Sequence, residues 1–109
     1  MTETEFLDLA ESTLGEIELA FDRLFEQDVV DVECKRSGNV LEIEFIDNGS
    51  KIIVNSQAPL QEMWLAARSG GFHYKRVEDE WRNTRDGSEF FASLAEYASQ
   101  QGGTAVTLR

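Results

Sequence analysis

Apolar residues Phe6, Ala10, Leu14, Ile17, Phe21 and Leu24 recur at steps of three and four, the spacing that gathers side chains on one face of an α-helix. The pattern predicts a helix from Glu3 to about Gln27, with Thr2 or Thr4 as its N-cap and Glu3, Glu5 and Asp8 where the helix dipole favours negative charge. Gly15 costs such a helix up to about 1 kcal/mol relative to alanine, which suggests a close packing contact there. From Val29 to Asn55 the period falls to two. Val30, Val32 and Cys34 alternate with Asp31, Glu33 and Lys35; Leu41, Ile43 and Phe45 alternate with Glu42 and Glu44; then Lys51–Asn55 follows. Short Gly/Asn turns at Ser37-Gly38-Asn39 and Asp47-Asn48-Gly49 join these runs into an antiparallel meander.

Pro59 cannot donate to a strand ladder, so Ser56–Leu60 reads as a turn. In Gln61–Ala67, Met63, Leu65 and Ala67 share one face and Glu62, Trp64 and Ala66 the other. With Ile52, Val54, Met63 and Leu65 directed to the core, Trp64 and Asn55 share the face turned to water. Gly70-Gly71 opens a strand through Phe72–Arg76, and the charged loop Glu78–Glu80 leads to another at Trp81–Thr84. Ser88 is positioned to cap a second helix with Phe90, Phe91, Leu94, Ala95, Tyr97 and Ala98 on its apolar face, ended by Gln100–Gly103. The tail Thr104–Arg109 either lies along the domain or frays. The expected architecture is a single α+β domain over residues 1–109. It is a two-layer sandwich with both helices on one face of a five- to six-stranded antiparallel sheet and Trp64 on the opposite face.

Charge sharpens this picture. Residues 1–33 carry eleven acids against one base, Arg23, whereas residues 34–109 carry ten acids and nine bases, so nearly all of the net charge of −11 belongs to the first third. Such a field opposes a nucleic-acid ligand and favours a cationic partner, either a basic protein face or metal ions. No apolar run has the length of a membrane span, and the acidic start Met-Thr-Glu-Thr-Glu-Phe is unlike a basic targeting peptide, so the expected location is the cytosol.

Catalytic motifs are few. One cysteine, Cys34, and one histidine, His73, supply neither a disulfide nor a protein-only zinc site, and both read as strand residues. No glycine-rich phosphate loop or nucleophile motif is present, so the chain reads as a non-enzyme. Two surfaces remain as candidates. Glu11, Glu18, Asp22 and Glu26 follow at steps of seven, four and four and form a carboxylate ridge on the helix, with no cation on the same stripe to relieve it. The ridge is a solvated surface, a docking surface, or a weak site for hard cations. Trp64 is an interface candidate, with Asn55, Gln57 and Glu62 as polar surroundings, whereas Trp81 reads as core.

At these residues a resemblance emerges. Asn55–Ala66, N-S-Q-A-P-L-Q-E-M-W-L-A, resembles the N-x-Q-x-P-x-x-x-x-W-L-A signature of the frataxin family. G-S-K-I-I-V before it, G-G-F-H-Y after it, Asp79 before Trp81, and Gly87, Phe90 or Phe91 and Leu94 in the second helix fit as well, so the match runs from about Glu3 to Gln101. The resemblance, closest to the bacterial branch, implies the same two-layer fold and a role in iron-sulfur cluster assembly, with cysteine desulfurase and the scaffold protein as partners. It implies weak iron binding at Glu11, Glu18, Asp22, Glu26, Asp28, Asp31 and Glu33, and partner contacts at Asn55, Gln57 and Trp64. This chain has Leu7 where some bacterial relatives place histidine. A monomer is the expected state, with an iron-dependent oligomer as the alternative. Iron storage or oxidation is the competing function.

Overall fold

The computed structural model describes all of residues 1–109. Helix α1 spans Glu3–Glu26 and buries the whole apolar stripe read from its spacing, together with Thr13 and Ala20. Of the two candidate caps, Thr2 closes the helix. Its hydroxyl accepts from the Glu5 N–H while the Glu5 carboxylate accepts from the Thr2 N–H, so two otherwise unpaired donors are satisfied reciprocally. Hydrogen bonding of the Glu5 carboxyl to the Thr2 backbone N–H first, and then to the Thr2 side chain, holds it below its ordinary pKa.

Six antiparallel strands follow in sequence order: β1 (Val32–Ser37), β2 (Val40–Phe45), β3 (Lys51–Gln57), β4 (Glu62–Ala67), β5 (Gly70–Val77) and β6 (Glu80–Asn83). Strand β3 runs past Asn55 to Gln57, because Ser56 pairs with Met63 and Gln57 with Glu62. The expected turn therefore shrinks to one 3-10 turn at Ala58–Leu60, with Gln61 in the left-handed region. Helix α2, Phe90–Gly102, is capped by Glu89 rather than Ser88: the Glu89 carboxylate accepts from the Phe91 and Ala92 N–H groups. Ser88 is engaged by Asp86, whose carboxylate accepts from its N–H and hydroxyl.

Both helices close one face of the sheet. Leu41, Ile43, Ile52, Val54, Met63, Leu65, Tyr74 and Trp81 meet the stripes of α1 and α2 in one continuous core. Trp81 belongs to it as expected, its ring edge-on to Phe6 and its indole N–H donating to the Thr13 hydroxyl at 3.1 Å. The tail does not fray. It runs between the two helices, burying Val106 and Leu108, and Arg109 stacks over Phe91 while pairing with Glu16 at 2.8 Å.

Gly15 corrects an expectation. A Cβ built there meets nothing within 4 Å, so no close packing contact requires the glycine. Gly15→Ala is therefore expected to stabilise the protein by about 0.5–1 kcal/mol through helix propensity, read as a higher urea midpoint with an unchanged m-value. An unchanged or lowered midpoint would show that the groove beside Gly15 is constrained in a way its open geometry does not suggest.

Candidate functional site

The carboxylates of α1 divide into two groups. Arg36 sits in β1 on the same side as Val32 and Cys34, and its long side chain reaches up the helix. There its guanidinium pairs with Glu18 at 2.8 Å and also with Glu11, through separate nitrogens. The ridge thus has a cationic neighbour that the local sequence spacing does not reveal, and the upper two carboxylates are partly neutralised from within. Asp22, Glu26, Asp28, Asp31 and Glu33 are exposed and take part in none of the ion pairs of the fold.

Asp28 and Asp31 share an open concavity of about 560 Å³ with Asp47, Phe25, Val29, Val30, Gly102 and Thr104. Asp47 is the residue sequence reasoning missed. In Asp47-Asn48-Gly49 it reads as turn chemistry, and only the return of the β2–β3 turn beside the end of α1 brings it to the acids. Nowhere do three histidine, cysteine, aspartate or glutamate side chains converge on one metal-sized point. The donors are carboxylate oxygens on an open surface, which suits hard cations that keep part of their water. Cys34, behind the ridge, adds no soft ligand: burial first, then the charges of Asp22 and Glu18, push its thiol up to about 12.

The outer sheet face is built by strand register. Asn55 lies opposite Trp64 and Trp64 opposite His73; one row away, Gln57 lies opposite Glu62 and Glu62 opposite Lys75. The sequence-predicted residues Asn55, Gln57 and Trp64 therefore sit on adjacent strands of one face. Trp64 is half-buried rather than fully exposed, because its ring stacks on His73 with centroids 4.3 Å apart and planes 6° from parallel. Val40, Ile53 and Ala66 continue this face on the other side and give it an apolar centre. No helix is long and apolar enough to cross a membrane.

Two terminal helices covering one face of a six-stranded meander, with an aromatic outer face and an acidic first helix, define a two-layer α+β sandwich. The chain belongs to the frataxin family: the model of the frataxin-like domain matches residues 1–104. The iron-sulfur cluster assembly protein CyaY of Janthinobacterium sp. (strain Marseille) is 63% identical over 109 residues, all of this chain and 97% of that protein. The protein of the same name from Herminiimonas arsenicoxydans is 62% identical with the same coverage. Among solved structures, frataxin from Psychromonas ingrahamii superposes with a TM-score of 0.83 at 30% identity, covering 100% of this chain and 99% of that one. Trimeric yeast frataxin complexed with ferrous iron shares the fold at a TM-score of 0.73 and 23% identity, covering 87% and 86% of the two chains.

Proposed function

We propose that this protein is a non-enzymatic, iron-responsive adaptor of iron-sulfur cluster assembly. It acts in the cytosol as a monomer, docking on cysteine desulfurase through the acidic edge and on the scaffold protein through the face of Asn55, Gln57 and Trp64. The observation that carries the reading is the set of five exposed carboxylates free of ion pairs, Asp22, Glu26, Asp28, Asp31 and Glu33, on one edge of a fold whose relatives are named for iron-sulfur cluster assembly. A cationic face on the partner is drawn to such an edge by long-range attraction and gains little from it in high salt.

Iron is the cargo or effector in this scheme. Asp22 and Glu26, one turn apart on α1, and Asp28 and Asp31, with Asp47 across the concavity, are the oxygens that would hold it. Binding at so open a surface is weak, and each ion bound lowers the negative charge available to a basic partner. Glu11 and Glu18 contribute less, because an ion there competes with Arg36.

The test is calorimetric titration of the purified protein into cysteine desulfurase at low and high salt, with and without iron(II). Saturable one-to-one binding, weakened by salt and altered by iron, is expected. No binding at low salt would sink the proposal, and oxygen consumption with accumulation of many iron atoms per chain would replace it with the storage reading.

A further inference from the structure

The docking face around Trp64 hides a carboxylate. Glu62 points to the outer side of the sheet, yet it is only 7% exposed, lower than any other acid in the chain. Four side chains form a square over β4 and β5, with Glu62 and Trp64 two residues apart on one strand and Lys75 and His73 opposite them on the next. The indole N–H of Trp64 donates to Glu62 Oε1 at 2.8 Å, and His73 Nδ1 lies 3.4 Å from the same oxygen. Lys75 Nζ lies 3.4 Å from Oε2. A carboxylate is buried only where polar partners replace its water, and here one hydrogen-bond donor, the Trp64 indole, and two nitrogens within ion-pair distance surround it.

We infer that Glu62 is a positioning residue for the sheet-face docking surface: it fixes the plane of the Trp64 indole and, through the stack, that of His73. The consequence concerns what the partner must present. The only hydrogen-bond donor of the indole is spent inside the protein, and one face of the ring is covered by His73. Trp64 therefore meets its partner as a rigid apolar ring, fitted to an aliphatic or planar side chain. Hydrogen bonding at this face falls to Asn55 and Gln57, the register neighbours of Trp64 and Glu62. A pre-fixed ring also loses little freedom on binding, which favours affinity.

This inference rests on the sheet-face part of the proposed function, and its test uses the isolated protein so that the two fail separately. Solvent exchange of the indole N–H groups is measured by two-dimensional NMR, with Trp81, buried and bound to Thr13, as the internal reference for an intact core. In the wild type the Trp64 N–H is expected to exchange about tenfold or more slowly relative to a free indole, with strong contacts between the Trp64 and His73 rings. Glu62→Met, of similar length but without an acceptor, is expected to abolish that protection and weaken the ring contacts. Glu62→Gln, which keeps an acceptor oxygen at the same reach, is expected to retain both. Rapid exchange in the wild type overturns the proposal whether or not the variants fold, and so does a methionine variant indistinguishable from wild type or a glutamine variant that behaves like methionine. Loss of partner binding in Trp64→Ala is a separate result that bears on the docking reading alone.

Discussion

Asp22, Glu26 and Asp31 replaced together by lysine are expected to leave the fold intact and to weaken binding to cysteine desulfurase by about 100-fold or more at low ionic strength. The fold should survive because all three side chains are exposed and none forms an ion pair. Glu26 is the last residue of α1, where a lysine complements the helix dipole better than a glutamate does. Reversing Glu11 and Glu18 instead should weaken binding less, since Arg36 already offsets them; two lysines there would also face its guanidinium and cost stability. Reversal of Glu96, exposed on α2 away from the acidic edge, is the control and should do little. Unchanged affinity of the triple variant at low salt would remove the acidic edge from the docking mechanism. A loss that persists undiminished at high salt would point to direct contacts instead of long-range attraction.

The contrast between these two groups of acids marks how far sequence reasoning reaches. Helix α1 was legible because six apolar residues keep a 3.6-residue period. The strands are legible because alternation and Gly/Asn turns agree, and the same alternation places Trp64 on the outer face. All of these are local signals. Arg36 is not local: it meets Glu18 and Glu11 only because β1 lies beside α1 with that residue on the inner side of an edge strand. Asp47 joins the acidic concavity for the same kind of reason. The burial of Glu62 was illegible too, since alternation correctly places it outward but carries no information about the ring and ammonium group that cover it. The cap of α2 shows a competition between neighbours, in which Asp86 takes Ser88 and leaves Glu89 to accept from the helix. The frataxin signature draws attention to Asn55, Gln57 and Trp64, but carries no information on what this chain has placed around them.

Gln101→Ala should destabilise the protein by about 3 kcal/mol, although the residue reads in sequence as a polar helix end. Its side chain is 3% exposed and sits where three segments meet. Its Nε2 donates to Ser50 Oγ and to the Lys51 carbonyl, both at 3.1 Å, and its Oε1 accepts from the Arg68 N–H at 2.9 Å. Its own carbonyl accepts from Asn48 Nδ2 at 2.7 Å. One side chain thus ties α2 to the entry of β3 and to the β4–β5 turn. Truncation leaves a backbone donor and a backbone acceptor without their partner, and that loss exceeds the net worth of the bonds themselves. Gln100→Ala is the matched control. Gln100 is exposed and accepts only from the Ser69 hydroxyl, at 3.1 Å, so its loss should stay within about 0.5 kcal/mol. Urea unfolding of the two variants separates them, and equal midpoints would show that water readily replaces Gln101. The position is also expected to affect the outer sheet face. The β4–β5 turn is the hinge of the hairpin that carries Glu62, Trp64, His73 and Lys75, so loosening it should raise amide exchange in that hairpin first. Binding through the sheet face should then weaken even at temperatures where the rest of the core remains folded.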